Sequence, residues 1–297
     1  METFIEKIIE QTFKSKMKSF SYSEKTLLKF INSKQDPWPS KFIMSSLTVK
    51  TETIDGYKYF VLHNSQSKLN KKRILFIHGG AFVGEISSIH WLYIKTLIKK
   101  TNAIIYVPIY PLTTDKYSNQ IDTNRFLINL WKEITKADDE IFSIIGDSAG
   151  GNFALVLAQQ IKLNHLKKPQ NIILISPCIA LEKRPEVEKI GDSDPILTRK
   201  LLETVLNWQL KNEDSKNPLF SPIYGDCKDI GDIYIFMGSK EIFLYFINIW
   251  IEKMKNQQIK YQLDVKKDMF HDYPIFLVGK NSKETNEKIY KIINNKK

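Results

Sequence analysis

Short apolar runs recur along the chain at Ile74 to Ile77, Ala103 to Val107, Phe142 to Ile145, Ile172 to Ile175, Ile233 to Met237 and Tyr261 to Val265. Runs of this length, without helical spacing, read as strands buried on both faces. They are separated mainly by helical stretches, and that alternation predicts a mostly parallel, doubly wound sheet. Two further strand patterns, Leu47 to Thr53 and Tyr57 to His63, flank Asp55-Gly56, a turn signal for an opening antiparallel hairpin. The expectation is therefore an eight-stranded α/β sheet. Helical spacing is clearest at Phe153, Val156, Leu157 and Ile161, then from Thr198 to Leu210 and from Phe243 to Met254. Near the N-terminus Phe4, Ile5, Ile8, Ile9, Phe13 and Met17 form one apolar face between lysines, and a second helix is expected around Ser23 to Ile31. Asp36-Pro37-Trp38-Pro39 ends that region. Between Ser176-Pro177 and Asn217-Pro218 the strand-helix rhythm breaks, marking residues 179–216 as an inserted element.

Chemistry enters at Ile141 to Asn152, where an apolar run meets Gly146-Asp147-Ser148-Ala149-Gly150-Gly151 and a helical pattern follows. A serine on so sharp a strand-to-helix turn needs neighbours two residues away that are almost free of side chain. Its place at a helix N-terminus favours developing negative charge. Taken alone, the same residues describe an ordinary glycine turn. A second buried strand ends at Ile77-His78-Gly79-Gly80-Ala81, and together the two stretches resemble the α/β-hydrolase fold, specifically its hormone-sensitive-lipase-like esterases. The resemblance covers roughly residue 45 to the C-terminus and is specific at the motifs. It implies a single hydrolase domain over residues 1–297, with N-terminal cap helices in 1–40 and a second cap element at 179–216. It also implies an oxyanion hole built from the N–H groups of Gly79, Gly80 and Ala149. Ala81 stands where many members of that family have a third glycine, and alanine is disfavoured at positive φ.

A serine hydroxyl needs an imidazole base, and the base needs a carboxylate. The fold implied by the resemblance orders them serine, acid, histidine. Of the five histidines, only His271 follows both the serine and the last strand pattern; His63, His90 and His165 do not fit, and His78 belongs to the glycine loop. The acid is expected just past Ile233 to Met237, where Glu241 stands, although that family usually carries aspartate and a following proline there. Asp268 and Asp272 are the alternatives. His78 is assigned to anchoring the glycine loop, and Asp147 to bonding backbone near the serine. The resemblance thus implies a serine carboxylic-ester hydrolase acting through an acyl-enzyme on small to medium acyl esters, with no cofactor and no metal. An amidase or deacetylase, an acyltransferase, and a non-catalytic small-molecule binder remain as alternatives.

Composition narrows the setting. The net charge of +11 comes from lysines spread in ones and twos, with one Lys71-Lys72-Arg73 cluster, so a solvated surface is expected and not a nucleic-acid groove. No run of about 18 apolar residues occurs, and no membrane span is expected. Cys178 and Cys227 are too few for a disulfide framework, which points to reduced thiols and a cytoplasmic setting. An edge strand near the C-terminus could support a homodimer.

Overall fold

The computed structural model describes residues 36–295 apart from 115, 137–139, 185, 188–193 and 212. The helices expected over residues 1–35 lie outside the described residues. The eight strands are β1 (Thr48–Ile54), β2 (Tyr57–His63), β3 (Lys72–Ile77), β4 (Ile104–Pro108), β5 (Ile141–Asp147), β6 (Asn171–Ile175), β7 (Asp232–Gly238) and β8 (Tyr261–Lys266). They form one sheet in the order β1-β2-β4-β3-β5-β6-β7-β8. β1 and β2 pair antiparallel around the Asp55-Gly56 turn, β2 joins β4 antiparallel, and every later pairing is parallel. The helices are α1 (Lys41–Met44), α2 (Ser88–Thr101), α3 (Gln120–Ile134), α4 (Ser148–Leu163), α5 (Arg199–Leu210), α6 (Leu244–Asn256) and α7 (Gly279–Ile293).

Strand side chains alternate between two apolar layers. Leu75, Ile77, Ile144, Ile172 and Leu174 pack with α3, α4, α5 and α6 on one face. Ile74, Phe76, Ile145, Ile173 and Ile175 pack with α2 and α7 on the other. The unbroken apolar runs in the sequence thus reflect helices covering both faces of the central strands. Each fully buried Leu, Ile or Phe side chain contributes about 1.5–3 kcal/mol.

The turn from β5 into α4 fixes the position of Ser148. Its φ is 50°, in the left-handed region. A Cβ on Gly146 would overlap the Gly150 carbonyl, and one on Gly150 would overlap the Ile77 carbonyl. Strand and helix can therefore approach closely only through those glycines. α4 also begins at Ser148 itself, a full turn before the periodic apolar residues that start at Phe153.

Candidate active site

Ser148, Glu241 and His271 come from three different connections beyond the carboxyl ends of the strands, where open α/β sheets place their ligands. All three are buried, at 6%, 3% and 3% exposure. The imidazole of His271 lies between the other two: Nε2 is 2.8 Å from Ser148 Oγ and Nδ1 is 3.0 Å from Glu241 Oε2. Glu241 stands in the turn after β7, where its Oε1 accepts hydrogen bonds from the Gly238 N–H and, at 2.8 Å, from Ser176 Oγ. Burial raises the Glu241 carboxyl above its ordinary range, opposed by the hydrogen bond and charge of His271. Burial alone would lower His271, but the charges of Asp272, Glu241 and Asp194 and the hydrogen bond from Glu241 push it up to about 10.

The alternative acids occupy other places. Asp272 Oδ2 lies 3.3 Å from Nε2 of His271, the nitrogen facing Ser148, so it does not orient the ring through Nδ1. Asp268 is on the exposed turn after β8, where its N–H donates to Ser239 Oγ at 2.8 Å.

The glycine loop requires one correction to the sequence reading. The N–H of Gly79, expected in the oxyanion hole, donates to Asp147 Oδ2 at 3.0 Å and is thereby committed. The N–H groups of Gly80 and Ala81 have no partner among the described residues. Ala81 lines the same cavity as Ser148 and Ala149. Ala81 and Phe82 adopt φ of 53° and 64° despite their side chains. Such backbone costs on the order of 1–3 kcal/mol at each residue and must be held by its surroundings. Here Gly80 O accepts from the N–H groups of Val83 at 3.1 Å and Gly84 at 2.8 Å, closing the turn.

His78 bonds to that loop, and its partners settle its form. Burial, with the nearby His90, lowers its pKa to about 3, so the ring is neutral and Nδ1–H donates to Gly79 O at 2.7 Å. Tyr110 stacks on the ring at 4.4 Å between centroids and donates from its hydroxyl to His78 O at 2.7 Å. Asp147 bonds more distant groups than the sequence suggested: besides Gly79 it accepts from His90 Nε2 at 3.0 Å. His90 was passed over in the sequence. It is the N3 residue of a capping box on α2, where Nδ1 accepts from Ser87 N–H at 3.2 Å. That bond leaves the proton on Nε2, facing Asp147. A histidine at N3 carries no recognisable signal, and its partner is 57 residues away.

Asp194 and Ser176 were likewise missed. Asp194 precedes α5 but does not cap it, since Thr198 does. Asp194 Oδ1 instead accepts from the N–H groups of Ile196 at 2.8 Å and Leu197 at 3.2 Å, while Oδ2 accepts from His271 N–H at 2.9 Å. It thus ties the insertion to the loop bearing His271. Ser176 bridges Glu241 and the Asp272 N–H, the latter at 3.0 Å.

Beside Ser148 opens an apolar cavity lined by Phe82, Ala180, Leu181, Leu197, Leu202, Val205, Leu206 and Phe243, most of them from the 179–216 insertion. At its rim Glu182 accepts from Arg184 Nε at 2.8 Å and from the Tyr224 hydroxyl. Among the described residues no group of His, Cys, Asp and Glu side chains forms a metal site, and no helix is long and apolar enough to cross a membrane. Cys178 and Cys227 are buried free thiols.

Residues 74–275 match the family described as alpha/beta hydrolase fold. Among curated relatives, a triacylglycerol lipase of Mycobacterium tuberculosis is 27% identical over 197 residues, covering 65% of this chain and 39% of that protein. An esterase of Acinetobacter venetianus is 26% identical over 210 residues, covering 68% of each. The chain therefore spans well under half the length of the first of these. A solved structure of a hormone-sensitive lipase from a metagenome library superposes with a TM-score of 0.82 over 98% of this chain and 99% of its own, at 19% identity.

Proposed function

Because the chain belongs to the alpha/beta hydrolase fold family, we propose that it is a serine carboxylic-ester hydrolase acting on small to medium acyl esters. One observation carries the reading: a single imidazole bridges Ser148 Oγ at 2.8 Å and Glu241 Oε2 at 3.0 Å. Ser148 attacks the ester carbonyl as His271 Nε2 takes its proton, and Glu241 stabilises the imidazolium through Nδ1–H. The N–H groups of Gly80, Ala81 and Ala149 receive the oxyanion at the start of α4. His271 then protonates the departing alcohol, and water activated by the same imidazole releases the acyl group. The apolar cavity against the insertion holds the acyl chain, which gives residues 179–216 the role of a cap. Relatives bearing the names esterase and lipase support ester chemistry.

The test compares wild type with Ser148→Ala on aryl esters of increasing acyl length, beside the matching aryl amides. Loss of the nucleophile is expected to cost about a million-fold in kcat and to abolish labelling by a serine-directed phosphonate, with the circular dichroism spectrum intact. Turnover retained by pure Ser148→Ala protein overturns the mechanism. Amides cleaved as fast as esters would assign the amidase chemistry instead.

A further inference from the structure

The proposed chemistry uses one carboxylate, yet His271 is faced by several. Glu241 meets Nδ1 from the turn after β7, at 3.0 Å. Asp194 accepts from the His271 backbone N–H from the segment before α5, at 2.9 Å. Asp147, at the end of β5, acts on Asp272 and not on the ring, and is held by Gly79 N–H and His90 Nε2, each at 3.0 Å. Phe243, ahead of α6, sets its ring edge-on to the imidazole, 5.4 Å between centroids. The remaining carboxylate, Asp272, is the unexpected one, because Oδ2 lies 3.3 Å from Nε2, the nitrogen that must take the proton of Ser148. Its Oδ1 is buried without a hydrogen-bond partner. Its backbone sits at φ 57° and its N–H is pinned by Ser176 Oγ at 3.0 Å, so the side chain is delivered to this place by the turn itself.

A carboxylate oxygen at that separation favours the protonated ring by its charge, without a hydrogen bond of its own, since Nε2 is bonded to Ser148 Oγ. With the proton on Nε2 the lone pair needed by Ser148 is occupied, and the carboxylate and imidazole titrate as one unit. Resting on the hydrolase reading above, we propose that Asp272 is a positioning residue that holds a proton against Nε2 of His271, masking the base until that proton leaves to water. The surroundings support this: burial raises the Asp272 carboxyl well above its ordinary range against the pull of His271, and His271 is itself pushed up. The charge of Asp272 therefore tightens the proton on His271, while His271 pulls the Asp272 carboxyl the other way.

The experiment is a pH profile from 5 to 11 of kcat/KM on an aryl acetate and of phosphonate labelling at Ser148, for wild type, Asp272→Asn and Asp272→Gly. Both substitutions tolerate positive φ. Wild type is expected to reach half-maximal rate on the alkaline side of neutrality. Removing a charge at this range should lower that midpoint by about 1–3 pH units, so that near pH 6 the variants outpace wild type about 10- to 1000-fold. A merely structural role would depress the rate at every pH and leave the midpoint in place, and that result overturns the inference. A wild-type midpoint below neutrality overturns it without any variant. Wild type that labels at no pH takes down the hydrolase reading, and this inference with it; normal labelling with an unshifted profile takes down this inference alone.

Discussion

Glu241 shows how much one carboxylate can be asked to do. Besides His271 it accepts from Ser176 Oγ at 2.8 Å and from the Gly238 N–H, so both oxygens are engaged and its rotamer is fixed. Glu241→Gln keeps the shape but presents an amide where the imidazolium needs a negative charge. We expect kcat to fall by about 10⁴ with KM little changed, measured on an aryl ester at the alkaline plateau; activity within tenfold of wild type would show that another group carries this role. Asp272 cannot take over, because it faces the opposite nitrogen. Ser148, Glu241 and His271 could be proposed from the sequence because the chemistry calls for a serine, a carboxylate and an imidazole, and the chain order implied by the fold restricts their positions. The residues that hold them could not. Asp194, Ser176 and His90 act by bonds to groups 77, 65 and 57 residues away, and an ordinary aspartate, serine or histidine signals no such partner. The Gly79 assignment erred for a related reason: a motif names a loop, whereas which N–H is free depends on what lies across from it, here Asp147.

At the scale of elements, all eight strands fell where the apolar runs placed them, with ends displaced by a residue or two. β5 runs on through Asp147 because Asp147 still pairs with Ile175 of β6, a continuation that hydrophobicity does not register. Between β6 and α5, the bonds of Asp194 to Ile196, Leu197 and His271 were the least legible in the sequence. Asp194→Asn would set an amide N–H group or an uncharged oxygen against the His271 N–H. Losing charge-assisted bonds in a buried site costs about 1–3 kcal/mol, which for a chain of this size lowers Tm by several degrees. The imidazole should be misplaced as well, so kcat is expected to drop more than KM rises. Calorimetry and steady-state kinetics on the same sample check both effects, and a variant unchanged in Tm and kcat would show that the insertion and the His271 loop are held independently.

For the whole molecule, the carboxylates gathered at the carboxyl ends of the strands make folding itself respond to pH. The His271 imidazole is raised from 6.5 to about 10, so its stabilising contribution is complete below about pH 6.5 and is used up as pH rises toward 10. In that window the native chain keeps a proton that the unfolded chain has released. Each such proton lowers unfolding free energy by about 1.4 kcal/mol per pH unit. Asp194, Glu241 and Asp272 are also raised, and a raised carboxyl acts with the same sign, favouring the folded state less as pH increases. His78 does not offset this, because its lowered pKa of about 3 makes it lose stability only as pH falls below 6.5, where the unfolded chain takes up a proton that the buried ring refuses. The urea midpoint should therefore decline from pH 7 through 8 to 9. In Asp272→Asn the decline should be shallower, since the proton on His271 has lost one of the charges that hold it. A wild-type midpoint that is flat or rises over this range would mean that the site carries no extra proton in the folded state, and it would do so by equilibrium unfolding, without reference to any substrate.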